Sequence, residues 1–133
     1  MLHAAGELAT TIPGVAAVAL VGSWARGAAR ADSDVDIVVL VDEPSRMLDT
    51  PTWHATYGER TELIRAADFG AIQERRLLRP DGLVVEVGIG RPSWADVDPV
   101  DLGTARVTRD GLVPLHDPRG LLARLLAAVP TPR

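Results

Sequence analysis

Four residues in this chain have the types and spacing to do chemistry. Gly22 and Ser23 close one apolar run, and after ten further residues Asp34 and Asp36 open the next, Ile37-Val38-Val39-Leu40-Val41. A glycine lets a phosphate approach the backbone with no Cβ in the way. Ser23 adds a hydroxyl, and at the start of a helix the free N–H groups favour an anion. Arg26, one helical turn on, reaches toward the same anion. Asp34 and Asp36 are two apart at a strand entrance, so their side chains leave one face about 6–7 Å apart. Hard oxygen ligands of this kind suit Mg²⁺ together with phosphate oxygens and water. Transfer of a nucleotide from a triphosphate needs both halves. Each half alone has a plainer reading: Gly-Ser as an ordinary turn, Asp-x-Asp as a solvated strand entrance, Asp32-Ser33 as turn chemistry.

Those residues need elements to hold them. Val15–Val21 is a continuous apolar run, and Val35–Val41 is apolar but for Asp36; both have strand length without polar alternation. Both faces of their sheet must therefore be covered, which predicts an α/β or α+β fold. Residues 2–12 have helical spacing, ended by Pro13-Gly14, and Ser23 is the expected N-cap of a short helix over 24–28. Residues 42–57 read as loop or short irregular helices, and 60–69 fits helix or strand. Arg79-Pro80-Asp81-Gly82 is a turn that closes a hairpin between residues 72–79 and 83–89. Residues 92–99 read as a loop anchored by Trp94. A second hairpin is expected between 105–108 and 112–115, and Asp117-Pro118 should start a closing helix over 119–129 with Leu121, Leu122, Leu125 and Leu126 buried.

Bulk composition narrows the field. The 133 residues suit one domain, and 47% hydrophobic with 24% charged residues is ordinary for a globular protein. A net charge of −4 argues against a dedicated nucleic-acid binder. There is no Cys, and all fourteen basic residues are Arg, so thiolate chemistry, disulfides and lysine Schiff bases are excluded. No apolar run approaches the roughly 20 residues that span a bilayer, and no basic segment precedes an apolar core at the start; the expected location is the cytoplasm.

Gly-Ser, ten residues, then Asp-Val-Asp leading into a β-branched run resembles the minimal nucleotidyltransferases of the DNA polymerase β superfamily. Gly22, Ser23, Ser33, Asp34 and Asp36 carry the resemblance, which covers residues 22–36. It implies a small α/β (α+β) fold with a mixed sheet flanked by helices, two metal-binding carboxylates on one strand, and a third on a neighbouring strand. By the same resemblance Gly22, Ser23, Arg26 and Ser33 hold the nucleotide. Asp34, Asp36 and the third acid bind Mg²⁺ or Mn²⁺, and ATP is the donor of AMP. The sequence offers two candidates for the third acid. Glu86 lies among apolar neighbours in Leu83-Val84-Val85-Glu86-Val87, and a carboxylate so placed needs a metal or an arginine nearby. The hairpin register sets Arg76 opposite Glu86, with Glu74 one cross-strand step further. Glu86 is the preferred third ligand and the group that orients or deprotonates an acceptor hydroxyl; Glu74 is the reserve. An Arg76–Glu86 structural pair is the plainer alternative.

The remaining candidates are weaker. His3, His54 and His116 have no metal-like spacing; Trp24 either stacks on a base or packs a wall; Trp53 and Trp94 read as anchors; Arg75 and Arg91 are candidate phosphate neutralisers. For the acceptor, the brevity of the helical tail favours a helical, toxin-like partner protein modified by an antitoxin. The alternatives are a small antibiotic-type hydroxyl compound bound at a homodimer cleft, or a catalytically silent module that neutralises its partner by occlusion.

Overall fold

The computed structural model describes residues 12–50 and 53–130. The expected helix over 2–12 lies almost wholly outside them. Six strands form one mixed sheet: β1 (Val15–Val21), β2 (Val35–Val41), β3 (Glu62–Phe69), β4 (Ile72–Leu78), β5 (Val84–Gly90) and β6 (Leu112–His116). Their spatial order is β3-β4-β5-β2-β1-β6, and only β2 and β5 run parallel. The helices are α1 (Gly22–Ala25), α2 (Pro44–Leu48), α3 (Leu102–Asp110) and α4 (Leu121–Ala128), with 3₁₀ turns at Trp53–Tyr57 and Pro92–Ala95. This is an α+β fold.

The central strands lack alternation because each of their faces is buried. One face carries Val18, Leu20, Val35, Ile37, Val39, Leu77, Val85, Val87 and Ile89 against Met47, Trp53 and Tyr57. The other carries Ala17, Ala19, Val21, Val38 and Leu40 against Trp94, Ala105, Leu122 and Leu125. On this second face the small alanines of β1 let the helices lie close. Cover ends toward β3, an edge strand whose residues are exposed apart from a half-buried Ala67.

The Pro-Asp-Gly turn behaves as its residue types dictate. Gly82 sits at φ +87°, its N–H donates to the Arg79 carbonyl at 3.0 Å, and Arg79 N–H donates to the Leu83 carbonyl at 2.9 Å. The turn sets Arg76 opposite Glu86 and Glu74 opposite Gly88.

Three local expectations are corrected. Residues 105–108 belong to helix α3, so no second hairpin forms and β6 instead pairs antiparallel with β1. The helix wins because the Asp101 carboxylate caps it, accepting from Gly103 N–H at 2.9 Å and Thr104 N–H at 3.1 Å. Thr104 then donates its buried hydroxyl to the Trp94 carbonyl at 2.9 Å. Ser23 does not cap α1: the helix begins two residues earlier than expected, at Gly22 after Val21, with no side-chain cap. The closing helix starts at Leu121 rather than 119, behind a left-handed Gly120. Asp117 still serves its end, accepting from Leu122 N–H at 3.1 Å and Ala123 N–H at 3.0 Å. Asp101→Ala is expected to cost about 1 kcal/mol through loss of the α3 cap, read as a lower urea midpoint at unchanged slope.

Candidate active site

Strand pairing aligns the acids. Asp36 on β2 stands opposite Glu86 on β5 in the parallel pair, and Glu86 stands opposite Arg76 on β4. Directly paired residues share a face, so Arg76, Glu86 and Asp36 form one row across three strands. Glu74 and Gly88 belong to the next row, beside Val38. Asp34, two residues before Asp36, joins the same face from below. Asp36, Glu74 and Glu86, with Ile72 and Trp94, border a cleft of about 160 Å³.

The glycine end meets the acid end directly. Val21 pairs with Asp36 across β1 and β2, so the chain turning at Gly22 passes over the Asp36 carboxylate. Gly22 takes φ +74°, and a Cβ there would lie 2.4 Å from Asp36 Oδ2. Only glycine permits both the backbone angle and the approach. The two halves of the motif, distant in sequence, are in contact.

The loop between them is tied by side chains. Trp24 donates its indole N–H to the Ser33 carbonyl at 3.1 Å. Ser33 Oγ accepts from Arg30 N–H at 2.8 Å, shaping the turn ahead of Asp34. Trp24 is thus a strap across the loop, a role its position between the motif halves did not disclose. Arg26 donates to the Asp110 carbonyl at 3.3 Å, beside the close approach of Gly111 to its backbone. With only four residues, α1 sums few peptide dipoles, so what it presents is local N–H groups rather than a macrodipole.

Two other arginines are directed elsewhere: Arg75 bonds Asp68 at 3.5 Å and the Glu74 carbonyl at 2.9 Å, and Arg91 bonds the Asp42 carbonyl at 3.3 Å. The cation that the acids do receive is Arg76. Its Nη1 donates to Glu86 Oε1 at 2.5 Å and its Nη2 to Asp34 Oδ2 at 3.1 Å. The register reading of Arg76 opposite Glu86 is realised, and the guanidinium reaches one strand further than that register required.

Asp36 receives no such partner. Its burial, followed by the charge of the facing Glu86 and smaller contributions from Asp34 and Glu74, pushes its carboxyl up from 3.8 to about 6. Four carboxylates here face one guanidinium. No group of three His, Asp or Glu side chains among the described residues is arranged to enclose an ion. The donor chemistry nevertheless suits a hard divalent cation, because Mg²⁺ takes one or two carboxylates and completes its shell with water and phosphate oxygens. Of the acids in and below the row, Asp34 and Glu86 are bridged by Arg76, which leaves Asp36 as the one it does not contact.

A mixed α+β sheet here sets a positive-φ glycine turn over an acid row. The model of the nucleotidyltransferase domain family matches residues 4–93, about two-thirds of the chain, and the protein belongs to that family. No curated protein matches the chain significantly. The matched region holds Gly22, Asp34, Asp36, Arg76 and Glu86; the helices α3 and α4, which cover the second sheet face, and the edge strand β6 follow it. No helix among the described residues is long and apolar enough to cross a membrane.

Proposed function

We propose that the chain acts as one nucleotidyltransferase-like domain in the cytoplasm, transferring AMP from ATP to a hydroxyl of a helical partner protein, as an antitoxin of the adenylylating kind. The observation that carries the transfer is the contact between Gly22 and Asp36, which sets a phosphate-accessible turn against the acid row. The acceptor class is supported by the cleft beside the acids, which at about 160 Å³ is well below the volume that encloses a drug-sized ligand. A macromolecular acceptor brings its own surface, and the uncovered β3 presents Leu63, Ile64 and Phe69, exposed by 46%, 47% and 60%.

In this reading Gly22 and Ser23 bind the β- and γ-phosphates through backbone N–H groups and the Ser23 hydroxyl, and Arg26 and Ser33 support the loop around them. Asp34, Asp36 and Glu86 hold Mg²⁺ (or Mn²⁺), which when bound neutralises charge at the α-phosphate. Glu86 orients the acceptor hydroxyl and takes its proton as the oxygen attacks the α-phosphorus and pyrophosphate leaves. Glu74, one row away, is the second candidate for that role.

ATP with Mg²⁺ is expected to raise the melting temperature by about 5–10 °C at a hundredfold excess over its dissociation constant. Asp34→Asn combined with Asp36→Asn should abolish that rise. An unchanged melting curve in the wild type would favour a silent binding module. ATP labelled at the α-phosphate, incubated with a lysate, should label one discrete protein; label confined to small molecules would shift the acceptor to the antibiotic class.

A further inference from the structure

Arg76 is the one basic side chain within hydrogen-bond reach of the acid row among the described residues. Its guanidinium bridges Glu86 on β5 and Asp34 just ahead of β2, spanning the acid row from its β4 side. The three side chains are partly exposed, at 31%, 25% and 40% for Arg76, Glu86 and Asp34, so the bridge is open to exchange with solvent rather than sealed in the core. The two contacts are unequal, 2.5 Å to Glu86 and 3.1 Å to Asp34. An arginine keeps its charge at every physiological pH, and its fork can hold one acid while turning its other edge to a phosphate.

We infer that Arg76 is a resident counter-ion that competes with divalent metal for Asp34 and Glu86, making metal loading depend on the nucleotide. This rests on the reading of those acids as metal ligands. Without nucleotide, the guanidinium holds two of the acids and a free cation meets mainly Asp36. When a triphosphate enters, its oxygens offer Arg76 a second anionic partner. Glu86 stands directly opposite Arg76 in the strand register, whereas Asp34 is reached only across β5, so the Asp34 contact is the one released and that acid becomes available as the phosphates arrive. Arg76 is a positioning residue in this scheme, acting through the acids.

The test uses Mn²⁺ alone, with free ion measured by electron paramagnetic resonance and no turnover involved. Arg76→Gln should bind Mn²⁺ about tenfold more tightly than wild type in the absence of nucleotide, the size of an ordinary coupling between two sites. The wild type should gain affinity when a non-hydrolysable ATP analogue is added, and the variant should gain much less. Arg76→Lys, whose compact ammonium cannot bridge both acids, should fall between them and carries the test if Arg76→Gln does not fold. Affinity in both variants equal to or weaker than wild type would overturn the proposal. Adding Asp34→Asn with Glu86→Gln separates the two ideas. If the tightening in Arg76→Gln survives their loss unchanged, the ion lies elsewhere and the metal-site reading fails with it. If the tightening is lost with them but wild type shows no nucleotide dependence, the site stands and the counter-ion role falls.

Discussion

Asp36→Asn should lower the rate of nucleotidyl transfer by about a thousandfold, since it removes several kcal/mol of charge stabilisation at the reacting phosphate. The same substitution should not destabilise the fold. Among the described residues no cation pairs with Asp36: burial and the facing Glu86 have raised its carboxyl to about 6. A group raised in the folded state binds its proton more tightly there than in the unfolded chain. Its penalty is therefore present in full above the folded value, and it shrinks as pH falls toward the unfolded value of 3.8. For a half-buried carboxylate screened by solvent, the displacement corresponds to about 1–2 kcal/mol. Wild type should thus gain stability relative to Asp36→Asn as pH drops from 7.5 to 5, measured by paired urea titrations. Saturating Mg²⁺ with ATP should flatten the difference, because a bound cation supplies the missing countercharge. Parallel pH profiles for the two proteins would remove Asp36 from the role assigned to it. A stability profile that converges while transfer persists in Asp36→Asn would place the chemistry on other residues.

Gly22→Ala should be the most damaging single methyl in the chain. A non-glycine residue at φ +74° costs about 1–2 kcal/mol, and the new Cβ would meet Asp36 Oδ2 at 2.4 Å. Relief requires the carboxylate or the turn to move, and either displaces the site. The combined expectation is about 2–4 kcal/mol of lost stability, with transfer falling to the background rate. A double-mutant cycle isolates the contact. In an Asp36→Ala background the obstructing oxygen is gone, so Gly22→Ala should cost only the backbone strain, about 1 kcal/mol. Equal costs in the two backgrounds would mean that the turn and the acid do not press on one another. In that case the contact that carries the proposed function would be lost.

Several parts of this arrangement were legible before any coordinates. Val15–Val21 and Val35–Val41 read as buried strands because nothing polar beyond Asp36 interrupts them, and both are. Pro80-Asp81-Gly82 dictates its turn locally, so the register that pairs Arg76 with Glu86 could be counted from the chain. Residues 60–69 fitted two states because apolar and charged residues alternate imperfectly there. The strand β3 exists by pairing with β4, with a register irregularity between Leu63 and Arg65. Residues 105–108 carry Thr and Val suited to a strand, yet they join a helix once the Asp101 cap and the packing beneath Trp94 are available.

Local chemistry alone determined the Gly-Ser turn, the Asp-Val-Asp strand entrance and the hairpin that carries Glu86, because each is written within a few consecutive residues. What folding decided was their meeting. The parallel pairing of β2 with β5 joins segments some fifty residues apart and puts Asp36 against Glu86. The antiparallel pairing of β1 with β2 lays Gly22 over Asp36, and the reach of Arg76 across β5 to Asp34 follows from the sheet order. Pairings of that kind depend on which apolar faces can be covered together, a property of the whole core that no short stretch of sequence contains.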